Sequence, residues 1–267
     1  MRVGLIGCGA IGSLIARALP GLGFQLRAVF DLDRQRARRL LAEATAAEIA
    51  DDIDEFLQRR VDLVVEAASH KAVRDYGERV LEVADLMIMS TAAFAVYPGL
   101  HRRLEERARE LGRKIYLPSG AIVGLDGVKA AKGQIEEVVL TTTKSPASIE
   151  QTEYLTQKGI ILDELRERTV LFSGPASEGA KLFPKNLNVL STLALAGLGL
   201  ERTEVRLVAD PRAEHNTHEL TVKGEFGEFT ARAANLPSAE NPRTSYLAAL
   251  SAIAVLRRIK EPFQIGT

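Results

Sequence analysis

The sequence predicts an α/β chain in two parts, a doubly wound parallel sheet followed by a smaller α/β domain with a mixed sheet. Three observations carry that expectation. Continuous apolar runs separated by helical periodicity fill the first part, the pattern of parallel strands covered on both faces. After about Ala121 the apolar residues alternate with polar ones, as in strands with one covered face. The first apolar run ends in Gly7-Cys8-Gly9-Ala10-Ile11-Gly12, a glycine-rich turn that opens directly into a helical pattern.

Residues 1–6 read as a short buried strand, and Ile11, Leu14, Ile15 and Leu19 recur at the spacing of one helix face. A second strand at 26–30 ends at Asp31, and the Arg-rich helix at 34–39 presents a solvated face. Strands follow at 61–67, 86–90 and 114–117, with helices at about 71–83 and 100–111 between them. Ligands of such sheets bind beyond the carboxyl ends of the strands. That directs attention to Ala67-Ala68-Ser69-His70, Ser90-Thr91-Ala92-Ala93-Phe94 and Pro118-Ser119-Gly120-Ala121. In the second part, alternation marks strands at 136–143, 203–209, 218–223 and 228–233, the last two joined by a hairpin turn at Gly224-Glu225-Phe226-Gly227. Helices are expected at 177–182 and 188–198. A final helix at about 245–259 carries Leu247, Leu250, Ile253, Ala254 and Leu256 on its apolar side and is expected to pack back on the first domain. The predicted domains are therefore 1–120, 121–240 and the returning segment 241–267.

Composition narrows the function classes. The 267 residues carry 35 basic and 35 acidic side chains, so net charge offers no attraction to nucleic acid or an anionic membrane. No apolar run reaches the length of a membrane span. The first strand begins at once, without room for a signal peptide, and the single cysteine, Cys8, excludes an intramolecular disulfide framework. A cytoplasmic enzyme with a small-molecule substrate is the expectation, and Cys8 reads as a small packing residue.

The glycine turn has a specific chemistry. Gly7 permits the tight turn, Gly9 lets the backbone approach a pyrophosphate, and Gly12 allows close packing of helix on strand. The helix start at Ala10 and Ile11 offers free N–H groups to the anion. Asp31, about twenty residues on, is placed to accept hydrogen bonds from an adenosine ribose. Together these predict a Rossmann dinucleotide site for NAD or NADP. Arg34 could meet a 2′-phosphate while Asp31 argues for a free ribose, so both cofactors stay open.

Four histidines are candidates for proton transfer. His70 stands at a strand end, where it could line the cofactor cleft, and His101 lies on a polar helix face, expected to be solvated. His215 and His218 share a polar segment, 209–219, with Asp210 and Glu214. Their spacing is not that of a zinc helix and no other ligand cluster accompanies them, so no metal is expected. A general base suits them better, oriented by a neighbouring carboxylate. A second polar cluster, Lys185, Asn186 and Asn188, interrupts two apolar helical segments, where amide side chains at a helix start suit a carboxamide or a carboxylate. Ser119 belongs to the small-residue junction between the domains.

Taken together, these segments resemble the L-aspartate dehydrogenase family. The likeness runs through the glycine turn, Glu66-Ala67-Ala68-Ser69, Ser90-Thr91-Ala92-Ala93-Phe94-Ala95, Leu117-Pro118-Ser119-Gly120-Ala121-Ile122 and residues 181–189. It continues through Ala209-Asp210-Pro211, His215-Asn216-Thr217-His218 and residues 235–242. The resemblance implies a homodimer laid out like dihydrodipicolinate reductase, without metal. It implies NAD(P)-dependent oxidation of L-aspartate to iminoaspartate, and so to oxaloacetate and ammonia, or the reverse amination, in pyridine nucleotide biosynthesis. It makes His218 the catalytic residue with His215 as its neighbour, and gives Ala121 and Asn188 contacts to the cofactor. A dicarboxylate substrate then needs cationic or N–H partners, for which Lys185 and Lys144 are candidates. The alternatives are another two-domain reductase, such as one acting on dihydrodipicolinate, or a non-catalytic NAD-binding sensor.

Overall fold

Among the described residues, eleven strands form two separate sheets, one of six strands and one of five. The computed structural model describes residues 1–44, 47–183, 188–236 and 245–266, the side chains of residues 43, 44 and 188 excepted. The chain divides into two units, Met1–Pro118 with Ala249–Pro262, and Ser119–Ala248 with Phe263–Thr267.

The first unit alternates strand and helix: β1 (Arg2–Ile6), α1 (Ala10–Ala18), β2 (Gln25–Phe30), α2 (Arg34–Ala44), β3 (Glu48–Ile49) and α3 (Ile53–Gln58). It continues with β4 (Leu63–Glu66), α4 (His70–Val83), β5 (Asp85–Ile88), α5 (Ala93–Val96), α6 (Leu100–Leu111) and β6 (Ile115–Tyr116). The sheet order is β3-β2-β1-β4-β5-β6, and every pairing is parallel. The order reverses between β1 and β4, the place where open α/β sheets leave a crevice for a ligand. Polar side chains start the helices where the pattern demands it: Asp52 accepts from the Glu55 N–H at 2.8 Å, and Ser69 from the Ala72 N–H at 3.2 Å. In α2, Ala37 and Leu40 are buried while Arg34, Arg36, Arg38 and Arg39 stay exposed, so the arginines form a solvated face. Arg34 is ion-paired with Asp51.

The second unit holds α7 (Leu125–Ala130), β7 (Ile135–Lys144), α8 (Glu153–Gln157), β8 (Thr169–Pro175), α9 (Ala176–Leu182) and α10 (Asn188–Ala196). β9 (Thr203–Ala209), β10 (Asn216–Gly224) and β11 (Gly227–Asn235) follow; the last helix, α11 (Tyr246–Lys260), belongs from Ala249 onward to the first unit. The sheet order is β11-β10-β7-β9-β8, mixed because β7 and β9 run parallel and the other pairs antiparallel. Alternation sets its faces. Val138, Leu140, Val205, Leu207, Leu220 and Val222 are buried, while Glu137, Glu204, Arg206 and Glu219 are exposed. Leu190, Leu193 and Ala194 of α10 are fully buried. A methyl at Gly197, just past α10, would lie 3.1 Å from Val128 and 3.8 Å from Val138. The end of α10 is therefore seated at the Val138 end of the covered face.

Strand β8 is an element that sequence patterning does not show. Its pairing with β9 shifts register between Val170 and Phe172, which breaks the alternation. Its position at the sheet edge tolerates Pro175.

From α11, Ala252 and Leu256 are fully buried in the core formed by Val3, Leu5, Ile15, Leu63 and Val65. Replacing Leu256 with Ala removes a buried side chain from that core, at an expected cost of about 2–5 kcal/mol in unfolding free energy. Denaturant titration checks this, and an unchanged midpoint would show that α11 contributes nothing to the core of the first unit.

Candidate functional site

Each glycine of the turn after β1 answers a different constraint. Gly7 has φ +97°, and a methyl there would lie 2.7 Å from the backbone of Ala67 and Ala68. A methyl on Gly12 would lie 2.0 Å from the Gly7 carbonyl oxygen, so only glycine lets α1 start this close to the turn. Around Gly9 nothing lies within 4 Å of that position, leaving the backbone open to approach. No side chain caps α1, and its ladder begins with the Ser13 N–H donating to the Gly9 carbonyl at 2.8 Å. The N–H groups of Ala10, Ile11 and Gly12 precede that bond and stay available to an anion. Asp31 sits beside them: one oxygen accepts from the Cys8 N–H at 2.7 Å, the other from the Asp33 N–H at 2.8 Å. Those bonds hold the carboxylate at the lip of the turn, with lone pairs left for ribose hydroxyls. These residues fit a dinucleotide. Cys8 is buried, and burial, with Asp31 adding to it, pushes its thiol up to about 12, so it packs and does not react.

Glu66 is the polar residue on which the neighbouring strand ends converge. It is the last residue of β4 and buried, and it accepts from the N–H of Ala68 (2.8 Å), Ser69 (2.9 Å) and Ser90 (3.1 Å) and from the Ser90 hydroxyl (2.8 Å). Burial raises its pKa, and the four donors oppose that rise. The carboxylate ties the segment after β4, against which Gly7 packs, to the segment after β5. A glutamate ending the apolar run Leu63-Val64-Val65 is the sequence signal for this role.

In the second unit the covered face of the sheet turns polar at one end. Thr142 and Lys144 close β7, Asn216 and His218 open β10, and Asn235 closes β11, all of them buried. Register explains the grouping, since His218 pairs with Thr142 on one side and Ala233 on the other, and Asn216 pairs with Asn235. The His218 Nδ1 lies 2.9 Å from the Thr142 hydroxyl. Burial, with the charge of Lys144 second, brings the imidazole down to about 3, so the ring is neutral. Burial alone brings Lys144 down to about 8, which leaves it charged at pH 7. Asn235 donates from Nδ2 to the Ala121 carbonyl at 2.9 Å, which brings Ala121 to the same end. Gly120, beside Ala121, lies so close to Val189 that a methyl there would stand 3.0 Å from the valine side chain. The start of α10, with Asn188 as its first residue, is therefore also at this end.

Other sequence candidates fall elsewhere. His215 is exposed, outside β10, and does not join His218. The expected orienting carboxylate is replaced by Thr142, because the partner of a strand residue is set by register across the sheet and not by chain neighbours such as Asp210 or Glu214. His70 begins α4, with its ring 5.9 Å from that of Tyr97. His101 is half-buried instead of solvated; its Nδ1 is enclosed without a hydrogen-bond partner and its ring stands edge-on to Phe94. Ser119 is half-buried. Lys185 and Asn186 lie outside the described residues. Among those described, no three of His, Cys, Asp and Glu gather in a way that would hold a metal ion.

Two family models match the chain: "Aspartate dehydrogenase, C-terminal" over residues 126–259, and "Homoserine dehydrogenase, NAD binding domain" over residues 7–118. An L-aspartate dehydrogenase of Methanosarcina acetivorans is 45% identical over 271 residues, covering 100% of both chains. One from Archaeoglobus fulgidus is 45% identical over 262 residues, covering 98% of each. The crystal structure of aspartate dehydrogenase from Thermotoga maritima superposes with a TM-score of 0.77 at 29% identity, covering 100% of this chain and 99% of that one.

Two measurements check the electrostatics described above. Glu66→Ala leaves four donors without their acceptor and is expected to cost at least about 3 kcal/mol in unfolding free energy and to weaken NAD(P) binding. A variant that binds cofactor as tightly as the parent would remove Glu66 from the site. Lys144→Met deletes a buried charge that has no ion-pair partner among the described residues, and the variant is expected to be at least as stable as the parent at pH 7. The lysine is held at about 8 in the fold against 10.5 unfolded, so the unfolded state binds more protons between those values. Parent stability therefore rises relative to the variant as pH increases from 8 to 10.5. Unfolding curves of the two proteins across that range read the difference directly.

Proposed function

The chain belongs to the aspartate dehydrogenase family, and on that premise we propose that it oxidises L-aspartate to iminoaspartate with NAD or NADP, yielding oxaloacetate and ammonia after hydrolysis, or runs the reverse amination. NAD or NADP, when bound, supplies a nicotinamide carbon that accepts a hydride from the α-carbon of the substrate. The residues proposed to hold it are Gly7, Gly9, Ala10, Ile11 and Gly12 for the pyrophosphate, Asp31 for the ribose, and Ala121 and Asn188 toward the nicotinamide end. Support comes from the glycine constraints, the uncapped start of α1, and the convergence of Ala121 and Asn188 at the end of the sheet that carries His218.

The observation that carries the mechanism is the buried, neutral imidazole of His218 with its Nδ1 at the Thr142 hydroxyl. When Nδ1–H donates to Thr142, the Nε2 lone pair is free to take a proton. We assign His218 as the base that deprotonates the substrate amine before hydride leaves the α-carbon, and that activates water for attack on the imine afterwards. Thr142 is a positioning residue, fixing the tautomer and the ring plane. Ser119, Lys185 and Asn186 stay with the proposal as substrate contacts, whereas His215, exposed outside the strand, is left with no assigned role.

The reading includes a homodimer and a cytoplasmic location, the first from the family resemblance alone. Among the described residues no helix is long and apolar enough to cross a membrane. Light scattering checks the dimer, with the mass of two chains expected.

Mixing the protein with L-aspartate and NAD or NADP should raise the absorbance of the reduced nicotinamide. His218→Ala should lower turnover by about two to four orders of magnitude while cofactor affinity stays at the parent value. Near-parent turnover in that variant would show that another group is the base. Thr142→Val should lower kcat and shift its pH profile, with Thr142→Ser restoring both; a profile identical to the parent would deny the hydroxyl a role.

A further inference from the structure

Two buried residues stand out at the polar end of the second sheet. Lys144 is 4% exposed, yet among the described residues no carboxylate lies within ion-pairing distance of it, and burial is the only influence on its charge. Asn216 is 2% exposed, and its Nδ2 is enclosed without a hydrogen-bond acceptor. The two are neighbours by register. Thr217 of β10 pairs with Thr143 of β7, and one step further along that antiparallel ladder Asn216 comes opposite Lys144. Lys144 is also the last residue of its strand and Asn216 the first of its own, so both stand at the rim of the covered face.

An ammonium with no carboxylate beside it among the described residues, next to an amide N–H with no acceptor, is expensive to bury. Packing does not account for them: beyond Thr142 and His218 the same face continues as Leu140, Leu220 and Val222, which are fully or almost fully buried and apolar. The missing partner has a definable chemistry. It carries negative charge, it accepts at least two hydrogen bonds, and it is small enough to enter beside the His218 ring. A carboxylate meets all three conditions.

We propose that Lys144 and Asn216 together hold a carboxylate of the substrate, a site that also sets the basicity of His218. The assignment rests on the reading of the chain as an amino-acid dehydrogenase and adds to it the residues that recognise the acid group. Lys144 is the one charged group facing the imidazole among the described residues. β11 presents Ala233 and Asn235 there, β9 presents Leu207 and Ala209, and α10 has no ionisable side chain. A carboxylate seated on Lys144 cancels the charge that disfavours imidazolium, so the base becomes competent when its substrate is in place. Without substrate the ring stays neutral and inert.

The test uses succinate, an unreactive dicarboxylate, titrated calorimetrically into the full-length parent protein, Lys144→Met, Asn216→Ala and Asn216→Asp. The parent is expected to bind succinate. Lys144→Met should weaken it by tenfold or more, Asn216→Ala by less, and Asn216→Asp by more than Asn216→Ala, because it places like charge against the ligand. In turnover, Lys144→Met should raise the KM for L-aspartate by at least tenfold. Absence of succinate binding in the parent, or parent-like affinity in Lys144→Met, overturns the proposal. If Lys144→Met is instead unfolded, the lysine is a structural element and the proposal also fails, since removal of an uncompensated charge should not unfold the chain. Absence of L-aspartate turnover in a parent that binds succinate counts against the dehydrogenase reading and leaves the carboxylate site standing.

Discussion

An ammonium group buried with no counter-ion among the described residues is the feature on which the chemistry of the second unit depends. Lys144 occupies a position that the alternation of β7 assigns to the core, and it remains charged at neutral pH because its pKa, though lowered to about 8, is still above 7. Its field adds to the burial of His218 and keeps that ring unprotonated. A group placed at such cost stabilises nothing in the isolated chain. It becomes favourable once an anion arrives, which is the behaviour expected of a binding site built at the expense of stability. Thr142 supplies the complementary constraint by holding Nδ1, so the ring offers one nitrogen and one orientation.

The first unit solves a different problem, how to bring backbone close to a diphosphate. The turn after β1 is compressed until a methyl at Gly7 or Gly12 would collide with backbone, and the carboxylate of Glu66 gathers the ends of β4 and β5 around it. Asp31 bonds the Cys8 N–H, coupling the carboxylate proposed for the ribose to the same turn. In the proposed site, cofactor recognition therefore falls mostly to main-chain groups, and the side chains act by fixing where those groups point. This explains why so short a motif could be read from sequence: the requirement is steric, and only glycine satisfies it.

Much of the fold was legible for the same kind of reason. Parallel strands buried on both faces leave continuous apolar runs, and β1, β2, β4 and β5 all show them. The hairpin of β10 and β11 shows alternation with glycines at the turn, and the pair Gly224 with Gly227 closes its ladder. Strand β8 was not legible because a register shift interrupts its alternation, and β3, with two residues, is too short for any pattern. Within the site, the importance of His218 could be proposed, but its surroundings could not. Thr142 lies 76 positions away in the chain, and only the register of β7 against β10 brings them together. His215 looked like a partner because it is close in sequence, and it is exposed because the strand begins one residue later. The burial of Lys144 escaped the sequence reading, which ends the strand at 143; β7 runs one residue further, and the alternation Val138, Leu140, Thr142, Lys144 carries it to the core.

The coupling between Lys144 and His218 is measured most directly by following the ring nitrogens of His218 by nuclear magnetic resonance across a pH titration, with and without a saturating dicarboxylate. The ring should stay neutral well below the ordinary histidine value of 6.5 when the site is empty, and its titration should move upward when the acid is bound. A ring that titrates near 6.5 in the free protein, or that is indifferent to the added acid, would contradict the account.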